Sequence, residues 1–205
     1  MSSVPESDRP ARVPAFSLVA LAASAGGLTA ISKVLSGLPP GFPASIVIVQ
    51  HLDPRHRSLM ADILARRTPL KVKEAEEGDR LSPATVYIAP PNRHLLVNPD
   101  GTLSLSQSEL VHFVRPSADL LFESVAASYR EHAIGVILTG SGSDGAMGVG
   151  AVKKMRGTVI VQDENTSEFF GMPGAAFKTG CADFVLPLDE IPSALVTLVR
   201  GEETT

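Results

Sequence analysis

Phe16-Ser17-Leu18-Val19-Ala20-Leu21-Ala22-Ala23-Ser24-Ala25-Gly26-Gly27 is the stretch that decides how this chain folds. An apolar run with no polar alternation ends in a serine, a small residue and two glycines, and a helical pattern follows over 28–36. A strand that is apolar on both sides and turns straight into a helix belongs to a parallel sheet covered on both faces. The texture recurs along the chain. Further strands are predicted over 45–50, 85–89, 133–139, 158–162 and 183–186. Helices are predicted over 58–67, 117–130, 146–156, roughly 173–179, and 188–199. The expected fold is α/β in three layers, α/β/α, with a doubly wound and mainly parallel sheet. One region differs: 95–97 and 102–105 flank Asn98-Pro99-Asp100-Gly101, which reads as a β-hairpin inserted into that sheet.

Composition narrows the function classes. The chain has 205 residues, which at roughly 150 per domain means one domain. Residues 1–15 are polar and proline-bearing and read as a loose tail, with the domain running over 16–200. A net charge of −4 argues against a nucleic-acid-binding face. The lone cysteine, Cys181, permits no intrachain disulfide and fits a reducing compartment. The run over 16–25 has the look of a signal-peptide core, but Glu6 and Asp8 cancel Arg9 and Arg12 where a positive segment is needed. A cytoplasmic chain with no membrane insertion is expected. The histidines and Cys181 have no metal-like spacing, so neither a metal nor another cofactor is expected.

Ligands of open α/β sheets bind at the carboxyl ends of the strands. Three strand ends carry reactive side chains. Ser24 stands on the first turn among small residues, as a nucleophile or as a helix cap. His51 directly follows the second strand, as a base or an ordinary loop histidine. His94, His112 and His132 lack that placement, and His56 reads as solvated. Asp144 lies in Gly140-Ser141-Gly142-Ser143-Asp144-Gly145, as the N-cap of the following helix or as a carboxylate orienting the histidine. A hydroxyl, an imidazole and a carboxylate at one sheet edge form the set needed for acyl transfer. The competing reading is a dinucleotide site, because the same loop fits G-x-G-x-x-G and Asp163 stands where a ribose-binding acid would. Ser117 reads as the cap of a helix entry, Arg115 as structural or as a contact for an acidic receptor surface, Phe170–Pro173 as a cleft wall, and the acidic run over 74–79 as a solvated turn.

Seven segments carry a family resemblance: Ser24-Ala25-Gly26-Gly27, Val49-Gln50-His51, Tyr87-Ile88-Ala89-Pro90-Pro91, Val114-Arg115-Pro116-Ser117-Ala118-Asp119, Gly135-Val136-Ile137-Leu138-Thr139-Gly140, Ser143-Asp144-Gly145-Ala146 and Phe170-Gly171-Met172-Pro173. In this order they resemble the catalytic domain of the protein-glutamate methylesterases, the CheB family. The resemblance implies hydrolysis of glutamate γ-methyl esters on the helical cytoplasmic region of methylated chemoreceptors or related signalling proteins, and glutamine deamidation in some members. A catalytically silent receptor-binding module of the same fold is the alternative. The family's nucleophile, base and orienting acid fall on Ser24, His51 and Asp144. Ala25, Gly26, Ser141 and Gly142 would support the oxyanion, and Arg115 and Met172 would position the substrate. Ala25 stands where the family's threonine is usual, and Ser141 where a methionine is frequent. Family members usually carry an N-terminal receiver domain. The 15 residues before the first strand are too few for one, so activity that does not respond to phosphoryl donors is expected.

Overall fold

The apolar run over 17–23 becomes the centre of the sheet. The computed structural model describes residues 17–51, 59–111 and 113–201. The tail over 1–15, and with it Phe16, Asp53, His56, Ser58 and His112, lies outside the described residues. Strand β1 (Ser17–Ala23) pairs in parallel with β2 (Ala44–Gln50) on one side. On the other side it pairs in parallel with β7 (Ala133–Ile137). Outside these lie β3 (Lys71–Glu74) and β4 (Thr85–Ile88) at one edge, and β8 (Thr158–Gln162) and β9 (Phe184–Leu186) at the other. The order is β3-β4-β2-β1-β7-β8-β9, and every pairing is parallel.

Alternate residues of the central strands feed two cores. Val19, Leu21, Ile46 and Ile48 face α1 (Gly27–Ser36), α2 (Met60–Ala65) and α6 (Ile191–Arg200). Leu18, Ala20, Ala22, Val47 and Val49 face α3 (Ala118–Tyr129), α4 (Ala146–Lys154) and α5 (Gly171–Lys178). The hairpin of β5 (His94–Val97) and β6 (Leu103–Ser106) packs on this second face as a sheet of its own. Burying one such aliphatic side chain stabilises the fold by about 1.5–3 kcal/mol, which is why these strands read as unbroken apolar runs. This is the expected three-layer α/β domain with its hairpin.

One strand was missing from the sequence reading. Lys71-Val72-Lys73-Glu74 is charged and half-exposed because it forms the sheet's edge, where lysines discourage pairing with a second chain. The acidic run behind it is a turn: Asp79 accepts the Glu76 N–H at 2.9 Å and pairs with Lys73 at 2.8 Å. Among the described residues no helix is long and apolar enough to cross a membrane. From β1 the chain passes to β2, on to the edge strand β3, back to β4 between them, and then crosses to β7. The winding direction therefore reverses between β1 and β7, and a crevice opens at their carboxyl ends.

Candidate active site

Ser24, His51 and Asp144 leave three neighbouring strands at that crevice. The register Ala23↔Gln50 sets Ser24 beside His51. The His51 N–H donates to Ala23 O at 3.2 Å, and the Ser24 N–H donates across the switch point to Thr139 O at 3.0 Å. The buried Gln50 side chain ties the two turns together. Its Nε2 donates to Ser24 O at 2.7 Å and to His51 O at 3.1 Å. Gly140 packs directly against the serine: a Cβ there would lie 2.9 Å from Ser24 Cβ and 3.0 Å from Ser24 N, and would strike the Met172 sulfur.

His51 Nε2 meets Asp144 Oδ2 at 2.8 Å, with side-chain exposures of 15% and 4%. Asp144 does not cap the helix that follows it. The N-cap of α4 is Gly145, and no side chain bonds there. The carboxylate turns instead to the N-terminus of α3, where helix amides lack intrahelical acceptors. It accepts from Ser117 Oγ at 2.9 Å, from the Ala118 N–H at 2.6 Å and from the Asp119 N–H at 3.1 Å. Burial pushes the Asp144 carboxyl up, but the hydrogen bond from His51 and those from the Ala118 and Asp119 amides outweigh it. The net effect holds the group below the usual aspartate range, so it is ionised at neutral pH. Because Nε2 is bound to the carboxylate, Nδ1 is the ring nitrogen left for a substrate-side proton. In the Ser-His-Asp template the two nitrogens have the opposite assignment.

The amides of Ala25, Gly26, Ser141 and Gly142 donate to no acceptor among the described residues. Ala25 and Gly26 directly follow Ser24, and Ser141 and Gly142 directly follow Gly140, which packs against Ser24. Among the described residues no cluster of three or more His, Cys, Asp or Glu could hold a metal ion.

A family model described as CheB methylesterase matches residues 19–195. The chain belongs to the CheB methylesterase family. It is 45% identical over 191 residues to a protein-glutamate methylesterase/protein-glutamine glutaminase 2 of Anaeromyxobacter dehalogenans, covering 93% of this chain and 56% of that protein. It is 43% identical over 196 residues to the protein-glutamate methylesterase FrzG of Myxococcus xanthus, covering 95% of this chain and 59% of that one. The chain thus spans little more than half the length of these curated relatives. A putative enzyme of the same double name from Leptospira interrogans is 42% identical over 183 residues, which are 89% of this chain and 95% of that protein. The crystal structure of the Thermotoga maritima CheB methylesterase catalytic domain matches with a TM-score of 0.87 at 39% identity. That match covers 91% of this chain and 100% of that one.

Within this CheB methylesterase domain Arg115 and Met172 each have clear structural surroundings. Arg115 uses four of its five donors on its own surroundings: Asn92 Oδ1 at 2.9 and 2.7 Å, Gln107 O at 3.0 Å and Ser108 O at 2.6 Å. These bonds tie Arg115 to Asn92 and to the backbone at residues 107 and 108. Met172 has no exposed surface and supports Gly140 from behind. Asp163, the acid of the dinucleotide reading, closes its own turn by accepting the Thr166 N–H and hydroxyl. The family match supports the esterase reading and not that one.

Gln50, Ser117 and His94 were each in view in the sequence but given no part in the site. A glutamine ending an otherwise apolar strand was the available signal for Gln50, and the cap at Ser117 is real, accepting from Leu120 N at 3.4 Å. For His94 the local pattern holds no signal at all.

Proposed function

We propose that this chain hydrolyses glutamate γ-methyl esters on chemoreceptor-type signalling proteins, with Ser24 as nucleophile, His51 as base and Asp144 as the acid that orients His51. The observation that supports this best is the buried, ionised Asp144 bonded to His51 at the strand end beside Ser24. The Ser24 hydroxyl makes no hydrogen bond with a described residue, and the mechanism requires it to come within hydrogen-bond reach of His51 Nδ1. Ser24 Oγ attacks the ester carbonyl carbon while His51 Nδ1 takes its proton. The oxyanion is held by the amides around Ala25, Gly26, Ser141 and Gly142. As the tetrahedral intermediate collapses, His51 returns the proton to the departing methoxide, and methanol leaves. Water, deprotonated by His51, then cleaves the acyl-serine to glutamate and free Ser24.

The double name of the relatives supports a second substrate for the same site. A receptor glutamine would follow the same steps with ammonia as the leaving group. The partner is the helical cytoplasmic region of a methylated receptor, and the reaction belongs in the cytoplasm. The test is methanol release from methyl-labelled receptor. Ser24→Ala is expected to lower the rate by at least ~10³-fold while leaving the melting temperature in place, because it removes the attacking atom and little packing. A folded Ser24→Ala variant with wild-type turnover rejects the serine mechanism.

A further inference from the structure

His94 opens β5 with no exposed surface, and both of its ring nitrogens are engaged. The Ser117 N–H donates to Nδ1 at 3.1 Å, so the ring's proton sits on Nε2, which lies 3.0 Å from the Glu109 carbonyl. Ser117 is equally buried, and its hydroxyl donates to Asp144 Oδ1 at 2.9 Å. Asp144 Oδ2 then reaches His51 Nε2 at 2.8 Å. Residues from β5, the start of α3, the turn before α4 and the position after β2 are thereby linked, His94 through the Ser117 main-chain N–H and the others through their side chains.

We propose that His94 is a positioning residue for the ester hydrolysis, acting through Ser117 on the Asp144 carboxylate. The proposal rests on the methylesterase reading above. Ser117 is the N-cap, so its N–H precedes the helix and has no helical acceptor. His94 Nδ1 supplies that acceptor and fixes the direction from which the Ser117 hydroxyl and the Ala118 and Asp119 amides approach Asp144. Rotation of this cap would turn Oδ2 away from His51. Misplacement of a catalytic group by about 1 Å costs roughly 10²-fold in rate, so the contribution falls on kcat.

Two isosteres separate positioning from simple core filling. Asparagine can place an acceptor near the Nδ1 position, whereas glutamine reaches the Nε2 position and leaves the Ser117 N–H unpaired. His94→Gln should lower kcat for methanol release about 10- to 100-fold with KM within twofold, and His94→Asn should stay within about threefold of wild type. Equal kcat values in the two variants, high or low, overturn the proposal. If neither variant folds, Ser117→Ala, which keeps the N–H bonded to His94 and removes the hydroxyl bonded to Asp144, tests the link through which His94 would act. It should lower kcat about tenfold at unchanged KM and move the proton resonance of the His51–Asp144 bond in NMR spectra of the substrate-free protein. An unmoved resonance with unchanged kcat overturns the proposal equally. Wild-type protein that releases no methanol would reject the esterase reading, while the resonance would still report whether Ser117 sets the His51–Asp144 bond.

Discussion

Asp144, just before α4, and Asp119, in the first turn of α3, are two buried aspartates, and each serves the other's helix. Asp144 precedes α4 and accepts from the N-terminus of α3, while Asp119 lies in the first turn of α3 and accepts from Gly148 N of α4 at 2.7 Å. Both carboxylates satisfy helix amides that would otherwise be buried without acceptors. Asp144 also meets an imidazole, because the turn after β7 lies beside the end of β2. A carboxylate at a helix N-terminus is thus a structural cap by default. A partner from a third element gives it chemistry.

The sharpest way to break that comparison is Asp144→Asn. Its single amide oxygen can accept on one side only, while the NH2 faces a buried donor on the other and can favour the wrong His51 tautomer, so methanol release should fall by about 10³–10⁴-fold with a stability loss of about 1–3 kcal/mol. Full activity in this variant would make the two aspartates equivalent. Gly148→Ala attacks the contact that brings both carboxylates together. A Cβ there would lie 2.7 Å from Phe122 Cβ and 3.0 Å from Asp119 Cα, so α3 must shift. About 1–3 kcal/mol of stability should be lost by denaturant titration, together with a measurable fraction of kcat. Asp119→Ala leaves Gly148 N without its acceptor and should cost about 1–3 kcal/mol. Its rate per folded molecule should remain within a few-fold of wild type, and a thousandfold loss would give Asp119 a share in the chemistry.

The smallest effect concerns pH. The folded-state pKa of Asp144 lies below its ordinary value of 3.8, so its ionised form contributes stability in full above that value. The contribution is lost as pH falls from there through the folded-state pKa. Asp144→Asn should therefore flatten the decline of the melting temperature below about pH 4 relative to wild type. An unchanged slope would mean that the helix amides and His51 do not stabilise the charge.

Much of this molecule is legible in local pattern. The strands ending at Ala23, Gln50 and Ile137 are unbroken apolar runs because both of their faces are buried, and polar side chains appear where the sheet stops. That alone brought Ser24, His51 and Asp144 to one sheet edge. The edge strand over 71–74 escaped notice because its solvation removes the apolar signal.

What the sequence determined by itself is the layered fold, the strand ends and the residue types gathered there, since burial is written as periodicity along neighbouring positions. The tertiary structure alone decided what each polar group bonds to. Asp144 serves a helix that begins 26 residues earlier, His94 reaches Ser117 across 23 residues, and Arg115 reaches Asn92 across the same distance. Those choices follow from how α3 packs on α4 and on the hairpin. A short polar side chain takes whichever donor packing brings within about 3 Å, and chain-local pattern carries no record of that.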